Sequence, residues 1–262
     1  MSKPIASKEF QLVNSKPLTG KVALVTGASR GIGAAIARAL ADQGADVAVS
    51  YAASADKAEA VVAHLGAKGV RAKAFRADQA DAKQVEDLVR TVAKEFGRLD
   101  ILVNNAGVFN LGTLEDPVAN QAASERNFAV NVIGVEAAVR AAAAHLGEGG
   151  RVVSVGSIAA DTSPWPGIAS YSATKAAIAA YTRGWALELG PKGVTVNNVQ
   201  PGPIDTDMNR ADGEFADGQK AKTALGRYGK AEEVAAAVAF LASPAASYIT
   251  GASLNVDGGF TI

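Results

Sequence analysis

A tyrosine and a lysine that stand four residues apart, in the stretch YSATK (171–175), are the side chains best suited to chemistry. On a helix this spacing places Tyr171 and Lys175 on one face. A nearby ammonium favours a phenolate, so Lys175 is expected to lower the pKa of Tyr171 and let it deliver a proton near neutral pH. Because Tyr-x-x-x-Lys is a common pattern, a solvated surface pair is the alternative.

Two further segments accompany this pair. Ser157 closes an apolar run upstream of Tyr171, and a glycine-rich turn, TGASRGIG (26–33), closes the first predicted strand. Glycine permits a tight turn and lets phosphates approach the backbone N–H groups at a helix N-terminus. Between a strand and a helix, this pattern predicts a dinucleotide site. A plain strand-to-helix turn is the alternative.

Strand-like and helix-like runs alternate from Lys21 to the C-terminus, which predicts an α/β fold. The expected architecture is a Rossmann-type, doubly wound parallel sheet in three α/β/α layers, as a single domain over 18–262. The predicted strands are 21–26, 46–50, 70–76, 99–104, 151–157, 194–199 and 252–256. The predicted helices are 32–43, 55–68, 81–96, 125–146, 170–189 and 232–242. Residues 1–17 are expected to be a flexible extension, and 203–229 a mobile loop over the substrate.

Bulk composition narrows the function. The 262 residues carry no net charge, which gives a nucleic-acid partner no electrostatic support. The absence of cysteine excludes disulfides and thiolate metal ligands, and the two histidines have no companion ligands, so no metal site is predicted. Without a secretion signal in 1–17 or an apolar run of membrane-spanning length, we expect a cytoplasmic protein with no membrane partner.

The end of the second strand bears on the form of the cofactor. NAD sites usually carry an acid about 20 residues after the glycines, whereas this chain has SYAAS (50–54) and no acid before Asp56. Arg30, Ser50, Ser54 and Lys57 would suit a 2′-phosphate. NADP(H) is therefore favoured over NAD(H), although Arg30 and Lys57 would also be ordinary as solvated charges.

Two sites at later strand ends complete the predicted cofactor pocket. NNAG (104–107) is expected to form its floor, with turn chemistry as the alternative. Asp78 is placed either to accept a hydrogen bond from an adenine amino group or to cap the next helix.

Taken together, these motifs resemble the classical short-chain dehydrogenase/reductase family. The matching segments are TGASRGIG (26–33), NNAG (104–107), Asn131 in NVIG, Ser157, YSATK (171–175), PGPIDT (201–206) and ITGASLNVDGG (249–259). The resemblance extends from about Lys21 to the C-terminus. It implies a homotetramer paired through helices such as the alanine-rich 125–146 and 170–189. Packing of these helices against the sheet of the same chain is the alternative.

The resemblance also implies a role for each matched residue. Tyr171 is expected to donate a proton to the carbonyl, and Lys175 to lower the tyrosine pKa and hold the nicotinamide ribose. Ser157 would polarise the carbonyl, and Asn131 would hold a water that relays protons. These four form the predicted catalytic set. The predicted cofactor contacts are Gly27, Ser29, Arg30, Gly31, Ile32, Gly33, Ser50, Tyr51, Ser54, Asp78, Asn105, Ala106, Gly107, Tyr171, Lys175, Pro201, Gly202, Ile204 and Thr206.

The expected activity is NADPH-dependent, reversible reduction of a ketone or aldehyde to an alcohol. A free small carbonyl compound is the first substrate class, because the helix after Asn131 offers only Arg140 to an acyl carrier protein. A 3-oxoacyl-ACP reductase is the alternative. VQPGPIDTD (199–207) is also similar to a bacterial reductase-like regulator that binds cyclic-di-GMP, but the complete catalytic set favours turnover. Trp165 lines the substrate pocket or packs at the surface.

Overall fold

Seven parallel strands form one sheet in the computed structural model, which describes residues 16–262. The strands are β1 Val22–Val25, β2 Asp46–Tyr51, β3 Ala72–Arg76, β4 Ile101–Asn104, β5 Arg151–Val155, β6 Thr195–Pro201 and β7 Ser253–Val256. Their order is β3-β2-β1-β4-β5-β6-β7, and every pairing is parallel. The predicted doubly wound sheet is confirmed. Most of the predicted extension 1–17 lies outside the described residues.

Helices cover both faces of the sheet. They are α1 Gly31–Asp42, α2 Ala55–Gly66, α3 Ala82–Phe96, α4 Pro117–Phe128, α5 Gly134–Ala142, α6 Ala169–Leu189, α7 Ala216–Lys222 and α8 Ala231–Ala242. Helix α1 packs on α8 at one face, and α3 packs on α5 at the other. Among residues 16–262, no helix combines the length and the apolarity that crossing a membrane requires.

The alternation of side chains along β1 shows why its sequence is apolar throughout. Ala23 and Val25 belong to the core beneath α1 and α8, whereas Val22 and Leu24 belong to the core beneath α3, α5 and α6. Successive strand residues point to opposite faces, so a strand covered on both sides must be apolar at every position.

The strand order changes direction at β1, because β2 and β3 lie on one side of it and β4 to β7 lie on the other. Val25 pairs with Val49 of β2 on one side and with Val103 of β4 on the other. The loops after β1 and β4 therefore leave in opposite directions and open a crevice at the carboxyl edge, where ligands bind in such sheets.

The predicted helix 125–146 is wrong in its boundaries. Helix α4 begins at Pro117, the π-helical turn Ala129–Ile133 follows it, and α5 ends at Ala142. The first half of α4 is largely exposed and lacks an apolar period, which concealed the helix. An available signal was the pair Asp116 and Pro117: the Asp116 carboxylate accepts a hydrogen bond from Ala119 N–H at 3.0 Å, and proline suits a first helical turn.

The segment 203–229 also has more structure than the predicted loop. It contains α7, and its two ends are joined by backbone hydrogen bonds. The N–H of Asp205 donates to the carbonyl of Gly229, and the N–H of Gly229 donates to the carbonyl of Pro203, both at 2.9 Å. The segment is thus a loop that starts at the end of β6, has its two ends hydrogen-bonded together and lies over the carboxyl edge of the sheet.

Candidate active site

A cleft of about 1800 Å³ opens at the carboxyl edge of the sheet. Every predicted cofactor contact lines this cleft, and so does Ser157. Asn131 lies behind the wall and is 2% exposed. Since small-ligand pockets commonly measure about 300–1,000 Å³, the cleft is large enough for an extended cofactor together with a substrate.

The glycine turn has a shape that only glycine allows. Gly27 and Gly31 have positive φ angles of 64° and 54°. A Cβ on Gly33 would overlap the Asn105 side-chain amide and lie 2.6 Å from the carbonyl oxygen of Gly27. The turn therefore brings its bare backbone, and the unpaired N–H groups that begin α1, against the cleft. This arrangement fits the phosphates of a dinucleotide.

Thr26 and Asn105 fasten this turn to the end of β4. The Thr26 hydroxyl accepts hydrogen bonds from Asn105 N–H at 3.0 Å and from Ala106 N–H at 3.1 Å. In return, the Asn105 side-chain amide donates to the carbonyls of Thr26 at 2.9 Å and Gly27 at 3.1 Å. The predicted floor of the cofactor pocket and the glycine turn are thus one cross-linked unit.

Ser50 supports the turn from the second strand. It is buried, and its Oγ accepts a hydrogen bond from Gly27 N–H at 3.2 Å. Tyr51 and Ser54 follow on the wall of the cleft. The end of β2 therefore shapes the turn as well as facing the cleft.

Asp78 lies on the cleft wall, and it does not cap α3. Its carboxylate accepts a hydrogen bond from Ala80 N–H at 2.9 Å and lies 3.8 Å from Arg126. The cap is Asp81, whose carboxylate accepts from Gln84 N–H at 3.1 Å. The N-cap alternative for Asp78 is wrong because α3 begins three residues later than such a cap requires.

Arg30 and Lys57 face the carboxylate of Asp207, a residue that the sequence suggested only as a contact to polar substrate groups or as a solvated charge. Arg30 Nη1 lies 3.2 Å from Asp207 Oδ2, and Lys57 Nζ lies 3.9 Å from the same oxygen. Asp207 directly follows the PGPIDT motif, so its type and position were visible in the sequence. Its contact with a turn 177 residues earlier depends on the path of the segment 203–229.

Ser157 and Tyr171 share the wall at the other end of the cleft. Ser157 begins the short 3₁₀ turn after β5, and its Oγ accepts a hydrogen bond from Ala159 N–H at 3.1 Å. Accepting this bond leaves the serine O–H free to donate. The ring of Phe109 meets the Tyr171 ring edge to face, with 4.8 Å between ring centres.

Lys175 is one turn along α6 from Tyr171. Its Nζ donates a hydrogen bond to the carbonyl of Val155 at 3.0 Å and lies 5.6 Å from the centre of the Tyr171 ring. Burial lowers the pKa of Lys175 to about 8. The ammonium is thus still the main form at pH 7.

The expected lowering of the Tyr171 pKa is not found. Burial of the phenol raises the pKa of Tyr171, and the Ser157 hydroxyl opposes that shift. The helical spacing does bring Lys175 alongside the ring, but its Nζ donates to the Val155 carbonyl, and burial of the phenol is the larger of the two effects on the Tyr171 pKa.

Asn131 occupies the π-helical turn between α4 and α5. Its Oδ1 accepts a hydrogen bond from Val108 N–H at 2.9 Å, and its Nδ2 donates to the carbonyl of Val108 at 3.0 Å and to Thr174 Oγ1 at 3.2 Å. Asn131 therefore ties the segment after β4 to the helix that carries Tyr171 and Lys175. Single π turns of this kind recur at functional sites.

Aromatic side chains also contribute to the wall of the cleft. Phe109, Trp165, Phe215 and Phe260 all contribute to its wall. Of the two readings of Trp165, lining of the pocket matches its position. No cluster of three or more potential metal ligands occurs among residues 16–262.

Comparison with known proteins places these features in a family. Residues 27–261 match the family model described as enoyl-(acyl carrier protein) reductase. A solved short chain dehydrogenase from Burkholderia cenocepacia J2315, in complex with NADP, is 52% identical and superposes with a TM-score of 0.92 over 94% of this chain and 100% of its own.

Two curated relatives carry different functional names. The 3-oxoacyl-[acyl-carrier-protein] reductase of Synechocystis sp. is 43% identical over 94% of this chain and 98% of its own length. The cyclic-di-GMP-binding biofilm dispersal mediator protein of Escherichia coli is also 43% identical, over 92% of this chain and 98% of its own length. Similarity at this level therefore establishes ancestry but not a substrate.

Proposed function

Because the chain belongs to the short-chain dehydrogenase/reductase family of NAD(P)-dependent oxidoreductases, we propose that it reduces a free ketone or aldehyde to an alcohol with NADPH, reversibly. One observation carries the proposal. The hydroxyls of Ser157 and Tyr171 line the same cleft as the glycine turn, with Lys175 beside them. A proton donor, a second hydrogen-bond donor and a cofactor cradle thus meet in one place.

The chain's residues fit the cofactor along the whole cleft. NADPH would supply the hydride when bound. The glycine turn, with Ser29 and Ile32, would hold the pyrophosphate, while Asp78 would accept from the adenine amino group. Arg30, Ser54 and Lys57 would face the 2′-phosphate. The nicotinamide end would be held by Asn105, Ala106, Gly107, Pro201, Gly202, Ile204 and Thr206.

Two arguments support NADPH over NADH. The end of β2 carries no acid for a ribose 2′-hydroxyl, and two cations stand nearby. The Burkholderia relative was solved with NADP.

Ser157 and Tyr171 would both donate hydrogen bonds to the carbonyl oxygen, where negative charge develops. The raised pKa of Tyr171 keeps its phenol protonated at neutral pH, so it starts the reduction with the proton to be transferred. Lys175 would hold the nicotinamide ribose, and its positive charge would stabilise the phenolate left after transfer. Asn131 would hold a water that returns a proton through Lys175.

The substrate end of the cleft favours a free carbonyl compound with an apolar body. Phe109 packs against Tyr171 there, further aromatic side chains line the cleft, and the first basic residue after Asn131 in the sequence is already neutralised. Arg140 hydrogen-bonds to Glu86 at 2.7 Å and to Glu136 at 2.8 Å, so it offers little to an acidic carrier protein. The Synechocystis relative nevertheless keeps a 3-oxoacyl-ACP substrate as the second candidate.

A regulator that binds cyclic-di-GMP ranks third. Its support is the name of the Escherichia coli relative. A protein that only binds a nucleotide has no need of Ser157, Tyr171 and Lys175 along one wall, which is why turnover is the better account.

The test is NADPH oxidation by the purified protein against aliphatic and aromatic ketones, aldehydes, keto esters and a 3-oxoacyl thioester. Tyr171→Phe should lower turnover by roughly 10²–10⁴-fold while NADPH still binds. Tyr181→Phe is the matched control, because Tyr181 is on the same helix but stacks on Trp185 outside the cleft.

Each outcome has a distinct meaning. Reaction with the thioester alone would move the acyl carrier reading to first place. Full turnover in Tyr171→Phe would reject the mechanism, and no turnover with any carbonyl would favour the regulator. The homotetramer and the cytoplasmic location stay predictions, to be checked by light scattering and by cell fractionation.

A further inference from the structure

We infer that Asp207 tunes cofactor selectivity by competing with the 2′-phosphate of NADPH for Arg30 and Lys57. The inference rests on the proposed use of NADP(H) and adds to it a residue that opposes the preferred cofactor. Neither the glycine motif nor the strand-end serines imply this role, which follows from the path of the segment after β6.

The geometry is a three-way contact between separate parts of the fold. One oxygen of Asp207 lies 3.2 Å from Arg30 Nη1, at the start of α1, and 3.9 Å from Lys57 Nζ, in the first turn of α2. All three side chains line the cleft that would hold the cofactor. The carboxylate therefore faces the two cations that a 2′-phosphate would use.

The backbone presents Asp207 in a defined position. Thr206 and Asn209 exchange N–H to carbonyl hydrogen bonds at 3.3 Å and 3.1 Å, which places Asp207 in the tight turn between them. The Asn209 side chain bonds to Gln219 of α7 at 3.0 Å and to the Tyr228 hydroxyl at 3.1 Å. The carboxylate is therefore carried by an anchored turn rather than by a loose chain.

Exposure makes the contact exchangeable. The side chains of Arg30, Lys57 and Asp207 are 60%, 58% and 65% exposed. Ion pairs this exposed are weak, so a phosphate with nearly two negative charges can replace the carboxylate. NADH lacks the 2′-phosphate. Competition for the two cations, and repulsion between the Asp207 carboxylate and the phosphate, therefore weaken the binding of NADPH alone.

Asp212 provides a matched control in the same segment. Its carboxylate oxygens accept two hydrogen bonds from the Arg210 guanidinium, each at 2.8 Å. Asp212→Asn thus removes the same charge from the same segment without touching Arg30 or Lys57. This control separates the contact of Asp207 with the two cations from the general electrostatic effect of removing one negative charge from the segment.

The experiment is calorimetric titration of NADPH and NADH into wild type, Asp207→Asn, Asp207→Glu and Asp212→Asn. Asp207→Asn should tighten NADPH binding by about three- to tenfold and leave NADH within about twofold. Asp207→Glu and Asp212→Asn should stay close to wild type. The gain should shrink at about 0.5 M salt, because exposed charges are then screened.

The double variant Arg30→Gln/Asp207→Asn tests whether the effect of Asp207 on NADPH binding depends on Arg30. In the Arg30→Gln background, Asp207→Asn should increase NADPH affinity much less than it does in wild type. The reason is that Arg30, the cation closest to Asp207, is then absent. Equal effects of Asp207→Asn and Asp212→Asn, equal gains for both cofactors, or weaker NADPH binding would overturn the inference.

Failure of the proposed cofactor would look different. A wild type that binds NADH more tightly would reject the NADPH preference. An NADPH-specific gain in Asp207→Asn would still support the role of Asp207 in that case.

Discussion

The ammonium of Lys175 donates its hydrogen bond to the carbonyl oxygen of Val155, at 3.0 Å, inside a site where only 7% of Lys175 is exposed. No carboxylate among residues 16–262 forms an ion pair with it. A backbone carbonyl compensates only partly for lost water, which is why burial lowers the pKa of Lys175 to about 8. The protein therefore retains a charge for chemistry at the expense of stability.

Lys175→Met should stabilise the fold at pH 7 while removing activity. The lysine pKa is about 8 folded and 10.5 in its ordinary state, so the unfolded chain binds more protons between these values. The free energy of unfolding of wild type should thus rise from pH 8 to 10.5. Below pH 8 the destabilisation caused by burying the charged lysine has its full value. We expect a gain of about 1–3 kcal/mol at pH 7 that narrows by pH 10, measured by urea unfolding.

Lys94→Met is the control for that measurement, because Lys94 is exposed on α3. It should change stability by less than about 0.5 kcal/mol at either pH. A Lys175→Met protein that is less stable than wild type at pH 7 would contradict the account of a buried, undercompensated charge.

The rate of carbonyl reduction should fall as pH rises through about 8. Below that value Lys175 is charged and can stabilise the phenolate of Tyr171, and above it the charge is lost. The raised pKa of Tyr171 keeps the proton donor loaded over the same range. A profile of kcat/KM from pH 6 to 10 reports these groups in the free enzyme, and a flat profile would exclude Lys175 as the titrating group.

Phe109 should orient the catalytic phenol. Its edge-to-face contact with Tyr171 is of a kind that contributes about 0.5–1.5 kcal/mol. Phe109→Ala should therefore lower kcat about three- to tenfold on a small aliphatic ketone, with NADPH affinity unchanged. Phe109→Leu, which keeps bulk against the ring, should recover much of that loss; equal kcat in wild type and Phe109→Ala would show that the contact is only packing.

Gly134 should be intolerant of a side chain. It is the first residue of α5, and a Cβ there would overlap the carbonyl oxygen of Gln79. Gly134→Ala should destabilise the protein by about 1–3 kcal/mol in urea unfolding, through overpacking. Gly66→Ala, at the end of α2 with open space around it, should instead stabilise by about 0.5–1 kcal/mol. Similar effects of the two substitutions would contradict this difference in packing.

Sequence reasoning performed best where local chemistry determines structure. A fully apolar strand, a turn that only glycine permits and a helical tyrosine–lysine pair are each properties of a few consecutive residues. The order of β1, α1, β2, α2 and the later elements followed from the same local patterns. The parallel sheet and its crevice were then the natural way to bury those strands.

It failed where the pattern was broken by a functional feature. The π-helical turn at Ala129–Ile133 interrupts the helical period, so two helices and the turn between them were predicted as one helix with shifted ends. Asn131 sits in that interruption, which lets its amide reach Val108 and Thr174 from one position.

The sequence by itself determined the family, the doubly wound fold and many of the residues that line the cleft. Only the tertiary structure decided that burial raises the Tyr171 pKa, that Lys175 bonds to Val155, and that Asp207 faces Arg30. Local motifs encode residue types and spacing along the chain. Burial and ion pairing depend on how distant segments meet in space, and that meeting sets both the charge of a group and its partner.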